Sequence, residues 1–230
     1  MSPRSCIPCP KIENDAYDWY KRHETRCELA KKNSYDIVFI GDSITHFWAD
    51  EDGVTHGVEV WREYYGRRRV LNLGFGFDRT QNVLWRLEHG ELDGQCPKLV
   101  VLNIGTNQFS ATPNYPCDTS ADAAEGIKAV IARLRAMFPE TELIVMAVLP
   151  RGAKEMEYRE KISETNAIVR EYAKTLPHTE YLDLSARFTY PDGSLKRELY
   201  RDCLTHLTPA GYRIWAEALE PRIRHILKED

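Results

Sequence analysis

Asp36-Ile37-Val38-Phe39-Ile40-Gly41-Asp42-Ser43-Ile44-Thr45 sets an uninterrupted apolar run against a Gly-Asp-Ser corner. Ile37 to Ile40 are all β-branched or aromatic and show no alternation, the pattern of a strand buried on both faces. Four more runs of this kind follow, at Arg69–Leu73, Leu99–Asn103, Glu142–Val148 and Glu180–Leu184. Helical spacing separates them. It is carried by Ile127, Val130, Ile131, Leu134 and Phe138, then by Ile162, Asn166, Val169, Ala173 and Leu176, and last by Tyr212, Trp215, Leu219 and Ile223. Ile12, Trp19, His23 and Cys27 predict a leading helix before the first strand. Strand alternating with helix predicts an α/β fold of three layers, α/β/α, around a five-stranded parallel sheet of order 2-1-3-4-5. In that order strands 1 and 3 are neighbours, and ligands bind beyond the carboxyl ends of the strands where the winding reverses.

The 230 residues suit one domain over 1–230, with residues 1–34 as a leading segment packed on it. The apolar fraction of 43%, the charged fraction of 29% and the net charge of -4 describe a globular chain with no call for nucleic acid. Arg67-Arg68-Arg69 reads as a solvated entry to the second strand. Cys6 and Cys9 have the spacing of a zinc or redox pair but no second pair to complete it, so the six cysteines read as reduced thiols and no metal or cofactor is expected. No run is long and apolar enough to cross a bilayer. The first fifteen residues lack an apolar leader, which points to the cytoplasm; a trimmed signal would leave the same chain in the periplasm or outside the cell.

The switch point is where the unusual residues fall. Strand 1 runs into Gly41-Asp42-Ser43, and strand 3 into Gly105-Thr106-Asn107. A serine opening a helix sits among free backbone N–H groups, which suits a nucleophile whose adduct becomes an oxyanion. Asn107 offers a side-chain amide across the same crevice. After strand 2, Gly74-Phe75-Gly76-Phe77-Asp78 turns into the next helix, with Asp78 and Gln81 spaced as a capping box and the N–H groups near Phe77 as a further oxyanion donor. A hydroxyl needs a base. His206 stands on the loop entering the last helix, with Asp202 four residues upstream to orient it, and His46 and His56 are the rival bases.

These blocks together resemble the SGNH (GDSL-type) hydrolases, and more closely the branch that includes the catalytic subunits of intracellular platelet-activating-factor acetylhydrolase and their bacterial relatives. The resemblance is carried by Asp36–Thr45, Asn72–Leu92, Val100–Asn107 and His206–Trp215, in order. It implies a flavodoxin-like fold and metal-free ester hydrolysis. Ser43 would be the nucleophile, His206 the base and Asp202 the third triad member. Ser43, Phe77 and Asn107 would form the oxyanion hole. Relatives pair as dimers, which leaves a homodimer open. Two positions depart from the family pattern: Phe77 stands where a glycine is usual, and Asp202 lies one residue further from His206 than in Asp-x-x-His, so that Cys203 takes the position three before. Asp183 and Asp192 are substitutes for Asp202.

The partner implied is a small ester, either an acetylated sugar or a lipid. No run is long enough for a lid, so the pocket is expected to be shallow, with Trp48, Phe109 and Tyr115 lining it. Exposed aromatics around His46–Trp61 would favour a sugar. Two other readings are a non-catalytic binding protein on the same fold and a flavin- or nucleotide-binding protein; Asp42, which would repel phosphate, argues against the second.

Overall fold

The computed structural model describes residues 2–49, 56–153 and 157–229. Five parallel strands, β1 (Ile37–Gly41), β2 (Val70–Gly74), β3 (Leu99–Asn103), β4 (Glu142–Met146) and β5 (Thr179–Leu182), pair in the order β2-β1-β3-β4-β5. The α/β/α architecture and the strand order are those predicted. The main helices are α1 (Trp19–Lys32), α2 (Ser43–Ala49), α3 (Val58–Tyr65), α4 (Thr80–Glu88), α5 (Ser120–Met137), α6 (Glu157–Ala173), α7 (Ser185–Phe188) and α8 (Pro209–Leu227). None of the described helices is long and apolar enough to cross a membrane.

Successive strand residues face opposite sides, so each strand feeds two cores. Val38, Ile40, Leu71, Leu73, Val100 and Leu102 pack with α4, α5 and α6. Ile37, Phe39, Leu99 and Val101 pack against Trp48, Tyr65, Tyr212 and Trp215 on the other side. Both faces are covered, which is why the strands read as unbroken apolar runs.

The boundaries differ where side chains compete with the ladder. Strand β4 ends two residues early, and the Asn166 side chain clamps both the N–H and the C=O of Val148, each at 2.9 Å. Strand β5 ends before Asp183, whose carboxylate accepts the Ser185 N–H at 2.8 Å and turns the chain into α7. The leading helix begins only at Trp19, because the Asp18 side chain accepts the Lys21 N–H and caps it there. Ile12 lies in the irregular stretch before it, which runs over α4: Cys9 N–H donates to the Gln81 carbonyl, and Asn82 Nδ2 donates to the Pro10 carbonyl at 2.7 Å. Of the basic triplet, Arg68 pairs with Glu220 and Glu229, and Arg69 with Asp36, so both serve the fold.

Beneath the β2–α4 loop lies a buried charge network. Arg86, with no exposed surface, donates to Asp78 at 2.8 Å, to both Glu91 oxygens and to the Leu73 carbonyl at 3.3 Å. Trp19 Nε1 donates to the other Asp78 oxygen at 2.7 Å. His23 lies 3.9 Å from Glu91 and, when protonated, balances the network at two charges of each sign. The expected capping box is therefore not made by Asp78, whose carboxylate is turned inward; the Asn82 side chain instead accepts the Arg79 N–H at 2.8 Å. Burial alone would lower the pKa of His23, but hydrogen bonds with Cys27 and Glu91 and the Glu91 charge carry it up to about 9. A raised pKa adds stability that is complete below the unfolded value of about 6.5 and is lost as the pH climbs toward the folded one. The melting temperature is expected to fall between pH 7 and pH 9, and less so in His23→Gln. An equal fall in the two proteins would remove His23 as its source.

Candidate active site

The site is built at the carboxyl ends of β1, β2 and β3. Gly41 ends β1, where an added Cβ would lie 2.4 Å from the Asn103 carbonyl oxygen, so only glycine lets β1 and β3 pass at this point. The chain then turns into α2. Asp42 is buried, and its carboxylate accepts the Ile44 N–H at 2.9 Å. Burial pushes its pKa up to about 7. The Ser43 N–H, first in the helix, is spent on no hydrogen bond among the described residues. Two clamps fix α2 from behind. Asn72 on β2 donates to the Thr45 carbonyl at 2.8 Å, and Tyr212 on α8 donates to the Ile44 carbonyl at 2.7 Å. Gly74 lets β2 approach, since a Cβ there would meet the His46 backbone nitrogen at 2.1 Å.

The candidate base comes from the other end of the chain. His206 Nε2 lies 2.9 Å from Ser43 Oγ, across 163 residues of sequence. The edge of its ring packs on Phe47, with centroids 5.0 Å apart. Burial first, then the neighbouring His56, Arg201 and Arg151, pull the His206 pKa down to about 4. The ring is therefore neutral at physiological pH, as a proton acceptor must be. Neither rival takes its place against Ser43 Oγ. His46 Nδ1 accepts the Gly76 N–H at 3.2 Å, and His56 stands behind, its ring 5.7 Å from that of His206.

Asn107 Nδ2 donates to the Asp78 carbonyl at 3.0 Å, which leaves its second amide hydrogen for the cavity. Arg79 ties the two loops together. Its guanidinium bonds the Asn107 and Ser110 carbonyls and lies 4.3 Å from the centre of the Tyr115 ring. Phe77 takes a left-handed backbone at φ 61°, where glycine is cheaper, and its side chain stands 44% exposed at the rim. The expected oxyanion residues thus converge with Ser43 and His206 on one cavity of about 230 Å³. Losing one such donor typically costs ~10²–10³ in turnover. Asn107→Ala is expected to lose that much kcat on p-nitrophenyl acetate with little change in KM. A loss below threefold would take the amide out of the transition state.

The aromatic lining differs from expectation. Trp48 has no exposed surface and packs on Trp215 and Tyr212; Phe109 belongs to the core under α5; Tyr115 donates to Asp118. Helix geometry explains the first. Four residues after Ser43, Phe47 returns to within about 40° of its face, whereas Trp48 is turned well away. Phe47 and Phe77 line the cavity instead, with Asp15, Ser110, Arg151, Cys203 and Thr205. Exposed aromatics around His46–Trp61 are not found: Phe47 and Trp48 are buried and Trp61 is half-buried, while residues 50–55 lie outside the described residues. Arg151 donates to the Thr106 carbonyl at 3.2 Å and to Ser110 Oγ at 2.9 Å.

Asp202 is not brought to the ring. It lies exposed on the loop before His206, and the group facing His206 Nδ1 is Cys203 Sγ, at 3.4 Å. The loop accounts for this. Leu204 adopts φ 53°, and its N–H bonds the Arg201 carbonyl at 2.8 Å, closing a turn that presents residue 203 to the ring. Asp183 is held to the Ser185 N–H and Asp192 to Ser194, so neither stands in.

Known proteins share this plan. The profile of the GDSL-like Lipase/Acylhydrolase family matches residues 39–214. The rat platelet-activating factor acetylhydrolase IB subunit alpha1 is 33% identical over 97% of this chain and 89% of its own. The chicken alpha2 subunit is 31% identical over 92% and 86%. Among solved structures, a GDSL-like lipase from Bacteroides thetaiotaomicron superposes with a TM-score of 0.68 at 22% identity, covering 90% of this chain and 97% of that one. An acetyl xylan esterase does so at 0.65 and 20%, covering 83% and 100%. At those identities the two structures speak for the fold alone.

Proposed function

The chain belongs to the GDSL-like lipase/acylhydrolase family and is a hydrolase of ester bonds, and on that premise we propose that it is a serine esterase of short acyl groups, acetyl foremost. The observation that carries this is the 2.9 Å contact of Ser43 Oγ with His206 Nε2 at the wall of a small cavity. In this reading His206 takes the Ser43 proton as Oγ attacks the ester carbonyl. The tetrahedral oxyanion is held by the N–H groups of Ser43 and Phe77 and by Asn107 Nδ2. His206 then protonates the departing alkoxide, and a water activated by the same ring releases the acid. The modest cavity favours a short acyl chain, and the name of the acetylhydrolase relatives carries the acetyl group.

One observation favours a particular alcohol. The exposed Phe77 ring at the rim is a platform on which a flat sugar face can lie. An acetylated carbohydrate is accordingly the second reading, beside a lipid or other small acetyl ester.

The test is hydrolysis of p-nitrophenyl acetate, butyrate and octanoate, with fluorophosphonate labelling in parallel. Rates should fall with chain length, and the label should map to Ser43. Rates rising toward octanoate would overturn the short-acyl reading, and an unlabelled Ser43 would favour a non-catalytic binding protein. Acetate release from acetylated xylo-oligosaccharides against a lipid acetyl ester then separates the two alcohols.

A further inference from the structure

Cys203 is fixed beside the base by more than one contact. Its sulfur lies 3.4 Å from His206 Nδ1, and the His206 backbone N–H also donates to it at 3.4 Å. Arg201 N–H donates to the His206 carbonyl at 2.8 Å, Gly152 N–H donates to the Leu204 carbonyl at 2.9 Å, and Tyr200 bridges Leu207, so the loop is pinned on both sides. A backbone N–H aimed at the sulfur makes the sulfur an acceptor. The hydrogen bond on one imidazole nitrogen decides which nitrogen carries the proton. For Nε2 to accept the Ser43 proton, Nδ1 must carry the hydrogen and needs an acceptor behind it. The only acceptor at Nδ1 among the described residues is this sulfur.

We propose that Cys203 is the positioning residue of the site: its sulfur receives the Nδ1–H of His206 and holds the ring in the tautomer that leaves Nε2 open to the Ser43 proton. The proposal rests on the reading of Ser43 and His206 as nucleophile and base. Other hydrolases assign this task to a carboxylate. A sulfur acceptor fixes orientation and tautomer as a carboxylate does, but it gives the imidazolium less countercharge. The groups facing the ring from neighbouring elements are His56, Arg151 and Arg201, all cationic or cationisable, with Phe47 against its edge. An acid at position 203 would bring the missing negative charge, raise the pKa of the ring and make it a stronger base.

The experiment compares wild type with Cys203→Ala, Cys203→Ser, Cys203→Asp and Asp202→Ala, using two readouts. One is kcat for p-nitrophenyl acetate between pH 3.5 and 9. The other is the tautomer of His206, read from the ¹⁵N shifts of its ring nitrogens, with His206→Gln for assignment. We expect the Nδ1–H tautomer in wild type and Asp202→Ala, and its loss in Cys203→Ala. We expect kcat to fall 10- to 100-fold in Cys203→Ala, to recover to within fivefold in Cys203→Ser, and to stay within twofold in Asp202→Ala. In Cys203→Asp the acid limb should move up by more than one pH unit, with kcat at or above wild type. An Nε2–H tautomer in wild type would overturn the proposal. So would a Cys203→Ala enzyme within twofold of wild type, or an Asp202→Ala enzyme that takes the loss instead. If wild type is no faster than Ser43→Ala on any ester while the tautomer still depends on Cys203, the esterase reading fails and the positioning role stands.

Discussion

Ser43→Ala is expected to lower kcat/KM on p-nitrophenyl acetate by about 10⁴-fold or more, because it removes the atom that forms the covalent bond. No neighbouring hydroxyl can replace it. Ser110 Oγ is engaged by Arg151 at 2.9 Å, and Thr205 Oγ1 donates to the Cys203 carbonyl at 3.3 Å. Neither has a base against it as Ser43 has His206. The fold should be unaffected, since the side chain lost is small and lies at the mouth of the cavity rather than in a core. Some acceleration over water should persist, because the oxyanion donors and the cavity remain. Steady-state rates with active-site titration measure the effect, and circular dichroism checks the fold. A loss under tenfold would mean that another group carries the acyl transfer.

The largest effect on stability is expected at Arg86. The guanidinium is fully buried between Asp78 and Glu91 and lies 4.0 Å from the centre of the Phe75 ring. Arg86→Met keeps most of the volume but leaves two buried carboxylates without their cation. Breaking a buried pair in this way costs ~3–5 kcal/mol, out of a total stability of about 5–15 kcal/mol for a typical domain. Urea titration of the variant should show that loss. Arg86→Met combined with Asp78→Asn and Glu91→Gln should be less destabilised than Arg86→Met alone, since the stranded charges are gone. A single variant within 1 kcal/mol of wild type would mean that water already solvates the network. Activity should suffer with stability, because the Asp78 carbonyl is the anchor of the Asn107 amide.

Local pattern made most of the fold legible. Ile37 to Ile40 have no polar residue to place on a solvent face, so β1 had to be central, and the strand order followed from the alternation with helices. Ser43, Asn107 and His206 could be named because each stands where an element ends and the backbone has donors or reach to spare. What pattern could not supply was the direction of side chains in three dimensions. Trp48, Phe109 and Tyr115 are close to the site in sequence but point into packed layers. Phe47 was within reach of helical spacing from Ser43. Cys203 was within reach of the family's three-residue spacing before His206, had the left-handed turn at Leu204 been foreseen. Asp15 carries no local signal at all, since it meets the cavity only because the stretch before α1 is laid across α4.

A wholly parallel sheet also gives the molecule two unlike ends. Ser43, Asn107 and His206 gather where the strands finish. The opposite end holds the Arg69–Asp36–Lys98 pairs and, three residues before β3, the exposed thiol of Cys96. Coupling to a solid support through Cys96, in a variant with serine at the other exposed cysteines, Cys117 and Cys203, would therefore orient the molecule, turning its cavity toward the solution and leaving the reactive face clear of the surface that carries it.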